Sequence, residues 1–289
     1  MIGDSQLIPK ATADGSYTFF STEFQETFHS FFGAKQEAEV RYIEPCQIEQ
    51  LAKRQSTIRL LDICYGLGYN SAAALEAAWS VNPQCQIELV ALELIPNVPR
   101  QAIAHNLLSQ WQFSIPKLLA KLAIETSICR ELLTAELIFG DARQTIQAIA
   151  QRDWQADVIF LDPFSPPKCP QLWTIEFIDR VAQCLTPTGR LATYSCSAAV
   201  RTALSNAGLH LGSVTGAGRK SPGTICSFEY KNLPELSERE REHLKTRAAV
   251  PYRDRTLRDS PEQIISNRQR EQQISSLEST SKWRKRWLM

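Results

Sequence analysis

From Arg59 to Tyr230, short apolar runs alternate with segments of helical periodicity, and this alternation constrains the fold more than any other feature of the chain. RLLDICY (59–65), IELVALEL (87–94), ELIFGD (136–141), DVIFLDPF (157–164) and RLATYS (190–195) read as strands. NSAAALEAAWSV (70–81), VPRQAIAHNLLSQW (98–111), residues 112–135, ARQTIQAIAQ (142–151), LWTIEFIDRVAQCL (172–185) and AAVRTALSNAG (198–208) carry helix formers at helical spacing. DVIFLDPF is almost continuously apolar, as a strand covered on both faces must be. Such alternation predicts a parallel sheet with helices on both faces. The last two strands, LHLGSVT (209–215) and TICSFEY (224–230), are joined only by a glycine-rich loop and should pair antiparallel. The expected fold class is α/β and Rossmann-like, with a seven-stranded, mostly parallel sheet whose last strand is antiparallel.

Three regions follow from the pattern. Residues 1–56 form an aromatic-rich segment, expected as a short strand or turn at Ser16–Ser21 followed by helical pieces that Pro45 interrupts. Residues 57–230 are the α/β domain, and residues 231–289 a polar, helical extension packed on it. With 43% hydrophobic and 22% charged residues, the chain can close a core without metal or disulfide staples. Its net charge of +1 hides an asymmetry: 14 Lys and Arg face 9 Asp and Glu from Lys231 onward, against 18 and 22 before it. A basic tail on an acidic body points weakly to a polyanionic partner. The eight cysteines include no CxxC pair and no His-rich neighbourhood, which argues against a zinc site and a secreted disulfide framework. With no apolar signal core and no apolar stretch near the ~20 residues a membrane helix needs, a cytoplasmic location is expected. No metal is expected, and a monomer is favoured.

The first strand–helix unit carries Asp62-x-x-x-Gly66-x-Gly68. Glycines there let the backbone turn sharply and approach a ligand, and the helix behind offers free N–H groups. Glu93, at the end of the second strand, can accept both ribose hydroxyls of a nucleoside. The third glycine of a dinucleotide fingerprint would fall at Ser71, which weakens a dinucleotide reading. Asp141, at the end of the third strand, can accept from an adenine amino group, and S-adenosyl-L-methionine brings no pyrophosphate to repel it. The spacing therefore points to S-adenosyl-L-methionine as cofactor and to a class I methyltransferase.

The blocks DGSYTFFSTEFQETFHSFFGA, LLDICYGLGYNSAAAL, FLDPFSPPKCPQLWT and PYRDRTL resemble the MnmC-type tRNA methyltransferase family, and within it the stand-alone members that lack a fused FAD-dependent oxidase. The resemblance runs from about Asp14 to the C-terminus. It implies methylation of the primary amine of 5-aminomethyl(-2-thio)uridine at the tRNA wobble position, with tRNA as partner. It also implies that Glu26 lies by the methionyl end, with Tyr65, Gly66, Gly68, Asn70 and Ala142 completing the cofactor residues. The chain departs from the family's frequent patterns in having Tyr65 before the glycine turn and Pro163 after Asp162.

Asp162 ends the fourth strand, at the sheet edge where ligands of such folds bind. Methyl transfer needs a neutral amine lone pair, and Asp162 can accept the amine's hydrogen bonds, aim the lone pair and relay the released proton. It is the expected catalytic residue. Phe164, Lys168 and Trp173 are expected to bind substrate, with Tyr17, Phe24 and Tyr65 as further candidates for stacking on the base. Ser21 and His29 are read as local hydrogen-bonding residues. Lys168, Arg219, Lys220, Lys282, Arg284, Lys285 and Arg286 are candidates for phosphate contact, with Trp283 and Trp287 beside the last group. Two other functions remain open: an aminopropyltransferase of spermidine-synthase type, and a non-catalytic RNA-binding module. The first should gather carboxylates around Asp162, and the loop SPPKCPQLW has none; the second would not bind S-adenosyl-L-methionine.

Overall fold

A computed structural model of the chain describes residues 7–214 and 221–287. Near the N-terminus β1 (Ile8–Ala11), β2 (Tyr17–Ser21) and β3 (Glu26–Thr27) make a small antiparallel sheet. The main sheet comprises β4 (Thr57–Ile63), β5 (Gln86–Glu93), β6 (Ser127–Cys129), β7 (Leu133–Phe139), β8 (Ala156–Leu161), β9 (Leu185–Thr193), β10 (His210–Val214) and β11 (Gly223–Ser227). Its order is β10-β11-β9-β8-β4-β5-β7-β6. The five central strands are parallel, β11 is antiparallel to both neighbours, and β6 is antiparallel to β7. This is the expected architecture, with one edge strand more than the seven expected among the described residues.

That extra strand, β6, falls in a stretch read as helix. The helix Ile115–Glu125 stops at Thr126, which takes a left-handed conformation with φ 63°. A β-branched residue is a poor occupant of that region, so nothing in the composition marks the stop. The helix Asn97–Ala104 is likewise shorter than expected and ends just before Asn106, at φ 55°, a residue type that tolerates this geometry. Pro187 and Gly189, between the expected helix 172–185 and strand 190–195, are themselves in a strand. They lie within β9, where the pairing with β8 shifts register. A Cβ at Gly189 would come within 3.0 Å of the Asp157 carbonyl, so the close approach needs glycine.

Side chains of the central strands alternate between two apolar layers. Leu60, Ala91, Leu137 and Phe160 face one layer, which also holds the helix Tyr69–Val81 and the helical turns from Ala34 to Arg54. Leu61, Leu92, Ile159 and Leu191 face the other, with the helices Ala142–Ala150, Ile175–Gln183 and Ala198–Asn206. The tail supplies this second layer with Tyr252, Leu257 and Ile264. Its helices begin at capped positions: Ser237 and Glu240 form a capping box for Glu238–His243, and Ser260 caps Pro261–Ile274. Beyond Ser16–Ser21, the strands β1 and β3 were not visible in the sequence, and the helical pieces after them include a π-helical turn, Glu39–Ile43.

Candidate active site

The C-terminal ends of the parallel strands open into a cleft of about 650 Å³, roofed by the small N-terminal sheet. Glu26, Gly66, Glu93, Asp141, Ala142, Asp162 and Phe164 all line it. The three acidic strand-end residues on which the sequence reading rests therefore share one cavity. Its lining carboxylates, including Glu37, face one lysine, Lys10, among the described residues. Such a lining favours cationic ligands.

Gly66 adopts φ 56°, and its N–H donates to Glu93 Oε2 at 2.8 Å. The Ile95 N–H donates to Glu93 Oε1 at 2.8 Å. These two bonds fix the carboxylate between the glycine turn and the end of β5, leaving further lone pairs on each oxygen for a ligand. Burial pushes the Glu93 carboxyl up, while these backbone donors act against that shift. Asp62 lies beneath the turn, fully buried, and accepts from Ser71 Oγ at 2.6 Å. Burial raises its pKa to about 7. Its Oδ1 is a buried acceptor with no hydrogen-bond partner, as is Oδ1 of Asn70.

Asp162 follows β8, and continuing the alternation of Val158 and Phe160 turns its side chain toward the layer of the N-terminal helices. Tyr42 Oη donates to its Oδ1 at 2.5 Å, and Asn70 Nδ2 donates to its Oδ2 at 2.9 Å. Burial pushes the Asp162 carboxyl up to about 8; the negative charge of Glu37 adds to this, and the two donors oppose it. Pro163 gives up a donor but keeps its carbonyl, which accepts from Tyr194 Oη at 2.9 Å.

Asp141 has a structural task besides any ligand contact. It caps the helix Ala142–Ala150 by accepting the Arg143 N–H, and its oxygens also take the Arg143 guanidinium at 2.7 Å. Arg143 in turn reaches Asp254 of the tail, which is fully buried, at 2.9 Å. Glu26 is also engaged: it accepts the Ser165 N–H at 3.0 Å and the Ser165 hydroxyl.

Other expected site residues sit outside the cleft lining. Gly68 (φ 84°) ends the turn against Tyr65, where an added Cβ would meet the phenol oxygen at 2.5 Å. Tyr65 is buried in the first layer, and Asn70 reaches the cleft only through Asp162. Trp173 is fully buried and donates its indole N–H to the Phe164 carbonyl at 2.9 Å, so it anchors the loop and offers no face to a base. Lys168 is exposed on that loop, away from the lining, and Tyr17 is exposed on β2. Phe24 does line the cleft, stacked on Phe164 with ring centroids 4.3 Å apart. Ser21 accepts from the Phe24 N–H, and His29 stacks on Tyr69. Arg219 and Lys220 lie outside the described residues. In the tail, Arg286 is paired with Glu242 and Glu278, and Trp283 stacks on His243, whereas Lys282, Arg284 and Lys285 are exposed.

Tyr42, Glu37, Ser165, Phe28 and Tyr194 belong to the site and were not found from sequence. Tyr42 sits 120 positions from Asp162 in a segment without strand or glycine signals. Ser165 and Phe28 stand inside the blocks that resemble the family, but their residue types alone carry no site signal. Carboxylates do gather near Asp162, from the N-terminal segment (Glu26, Glu37) and not from the loop, so the acid-poor loop does not by itself exclude a polyamine ligand.

A family profile described as S-adenosyl-L-methionine-dependent methyltransferase matches residues 99–229. An uncharacterized protein of Methanocaldococcus jannaschii is 30% identical over 269 residues, covering 89% of this chain and 70% of that protein. The tRNA 5-methylaminomethyl-2-thiouridine biosynthesis bifunctional protein MnmC of Acidovorax sp. is 29% identical over 235 residues. That match covers 76% of this chain and 35% of the relative, so the chain spans about a third of the bifunctional protein's length. The crystal structure of MnmC2 from Aquifex aeolicus aligns with a TM-score of 0.82 and 31% identity, over 94% of this chain and 87% of that one.

Proposed function

The chain belongs to the MnmC-type family of S-adenosyl-L-methionine-dependent methyltransferases, and we propose that it methylates the primary amine of 5-aminomethyluridine, or its 2-thio form, at the wobble position of tRNA. The observation that carries this reading is the shared cleft of Glu93, Asp141 and Asp162, two carboxylates at nucleoside-binding positions and a third facing the open space.

The cleft suits the cofactor. Its volume of about 650 Å³ is that of a nucleoside-sized site. At Gly66 a Cβ would sit 3.4 Å from the Phe28 ring, in the space a ligand backbone contact needs. Asp62 beneath the turn keeps an unpartnered buried acceptor, Oδ1. In this reading Glu93 holds the ribose, Asp141 and Ala142 border the adenine, and Gly66, Gly68, Asp62, Tyr65 and Asn70 shape the turn at the methionyl end. Glu26 closes the roof by holding Ser165. When bound, S-adenosyl-L-methionine supplies an electrophilic methyl group on a sulfonium.

Asp162 then acts on the acceptor. An alkyl amine enters largely as its ammonium; in its ionised form, which grows as pH approaches about 8, Asp162 takes a proton from it far more readily than an ordinary aspartate. The proton moves from the amine nitrogen to a carboxylate oxygen of Asp162, which leaves the nitrogen lone pair free and oriented. Phe24, Phe28 and Phe164 exclude water above the carboxylate and give the pyrimidine an aromatic wall. Residues 1–56 serve as cover, 57–230 as catalytic domain and 231–289 as buttress, with Lys282, Arg284 and Lys285 meeting tRNA phosphates. A tRNA substrate implies work in the cytoplasm. Among the described residues no helix is long and apolar enough to cross a membrane.

The test is methyl transfer from labelled S-adenosyl-L-methionine to bulk tRNA that carries or lacks 5-aminomethyluridine, followed by digestion to nucleosides. Label confined to 5-methylaminomethyluridine supports the assignment. Label that ignores the aminomethyl group, or aminopropyl transfer to a small polyamine, overturns it.

A further inference from the structure

We infer that Tyr42 is the positioning residue for Asp162: its hydroxyl fixes one carboxylate oxygen, favours the ionised form and leaves the remaining lone pairs turned to the cleft. This deepens the methyltransferase reading above and rests on it for the role of Asp162. The geometry is specific. Tyr42 is 1% exposed, and its hydroxyl lies 2.5 Å from Oδ1, while Asn70 holds Oδ2 from the other side at 2.9 Å. Each oxygen of a carboxylate has two lone-pair directions, so one on each remains for an incoming amine. The carboxyl plane is thereby set by two donors from separate elements, the turn Glu39–Ile43 and the helix Tyr69–Val81.

The backbone at Tyr42 is itself unusual. Glu39–Ile43 is a π-helical turn between the helices Ala34–Ala38 and Glu44–Cys46. Such wide turns are rare and concentrate at functional sites. The Tyr42 ring packs edge-on against Phe160, two residues before Asp162, with centroids 5.5 Å apart. The ring thus registers on the same strand whose end it serves.

Tyr42 donates and does not relay. Burial, with the charge of Asp162 second, pushes its phenol well above the ordinary tyrosine value, so it keeps its proton throughout. The proton released by the amine resides on Asp162, and the tyrosine O–H lowers the affinity of Asp162 for that proton. The other titratable groups facing Asp162 and Tyr42 are Glu37, Asp62, Cys64 and Tyr194, on the N-terminal helix, β4, the turn after it and the turn after β9. The Glu37 and Asp62 carboxylates raise the Asp162 carboxyl, which is why a compensating donor has a task here.

The test uses the full chain with S-adenosylhomocysteine bound. The titration of the Asp162 carboxyl is followed by carbon NMR of labelled aspartate, assigned with Asp162→Asn. In Tyr42→Phe, which keeps the ring, the midpoint rises by about one pH unit. A more acidic difluorotyrosine at position 42, which preserves the shape even if the phenylalanine variant folds poorly, lowers it. With tRNA substrate, the midpoint of the kcat profile moves in the same direction, while KM for S-adenosyl-L-methionine stays within several-fold. Midpoints unchanged in both variants overturn the inference. A wild-type protein that transfers no methyl to the aminomethyl group overturns the function instead, since the carboxyl titration is read without turnover.

Discussion

Glu26 on β3 holds Ser165 on the loop after β8 by two hydrogen bonds, one to the amide and one to the hydroxyl, so the roof of the cleft is fastened to the loop that carries Asp162. The Phe24 and Phe28 rings pack on Phe164 across the same seam. Ser165→Ala removes the hydroxyl donor and keeps the amide. Amide exchange across residues 22–30 should accelerate and S-adenosyl-L-methionine should dissociate several-fold faster, with thermal stability nearly unchanged. Exchange identical to wild type would mean that the aromatic contacts alone hold the roof.

Asp162 contributes to stability with the opposite sign from an ordinary surface aspartate. Its carboxyl titrates near 8 in the folded protein against 3.8 in the reference chain. The folded state therefore binds the extra proton between these values, and stability contributed by the neutral form is lost as pH rises through that window. Asp162→Asn keeps the shape, and a flip of the Asn70 amide brings its orphaned Oδ1 to the new NH2. At pH 8 the variant should be more stable than wild type by on the order of 1–3 kcal/mol, with the difference vanishing near pH 4. Urea denaturation at the two pH values checks this, and a variant less stable at pH 8 contradicts it.

The tail reaches Asp141 through Arg143, which bridges Asp141 and the buried Asp254. Asp254 also accepts the backbone amides of Arg258 and Asp259, so it organises the turn that seals the second apolar layer. Asp254→Ala removes one of two carboxylates from a mostly buried guanidinium, leaving Asp141 and the Asp259 carbonyl. A loss of about 3 kcal/mol in stability is expected, with weaker binding of S-adenosyl-L-methionine measured by calorimetry at a temperature where the variant remains folded. Unchanged affinity would show that Asp141 is held without the tail.

How far the sequence discloses this site depends on the range of each interaction. Strand ends and the glycine turn are local events, so Gly66, Glu93, Asp141 and Asp162 could be placed on one rim from periodicity alone. Trp173 and Tyr65 share the chemistry of base-stacking residues and differ only in burial, which pattern does not reveal. Tyr42 and Glu37 approach Asp162 through a fold-back of more than a hundred residues, and β6 follows a left-handed threonine, Thr126. Neither leaves a trace in local composition. The basic group at 282–286 divides for the same reason: Arg286 and Trp283 are committed to Glu242 and His243 across the tail.

That division makes a prediction about RNA. Replacing Lys282, Arg284 and Lys285 by glutamate should weaken tRNA binding and reduce the slope of log affinity against log salt by about two to three. Arg286→Ala should lower thermal stability with a smaller effect on that slope. Filter binding across a salt series separates the two, and an unchanged slope in the triple variant places the RNA surface elsewhere.

In the proposed reaction Asp162 faces the acceptor amine and not the cofactor. Single-turnover methyl transfer to tRNA bearing 5-aminomethyluridine should fall by roughly two to three orders of magnitude in Asp162→Ala, while the dissociation constant for S-adenosyl-L-methionine stays within several-fold of wild type. Parallel loss of transfer and cofactor affinity, or transfer that survives the substitution, would contradict it.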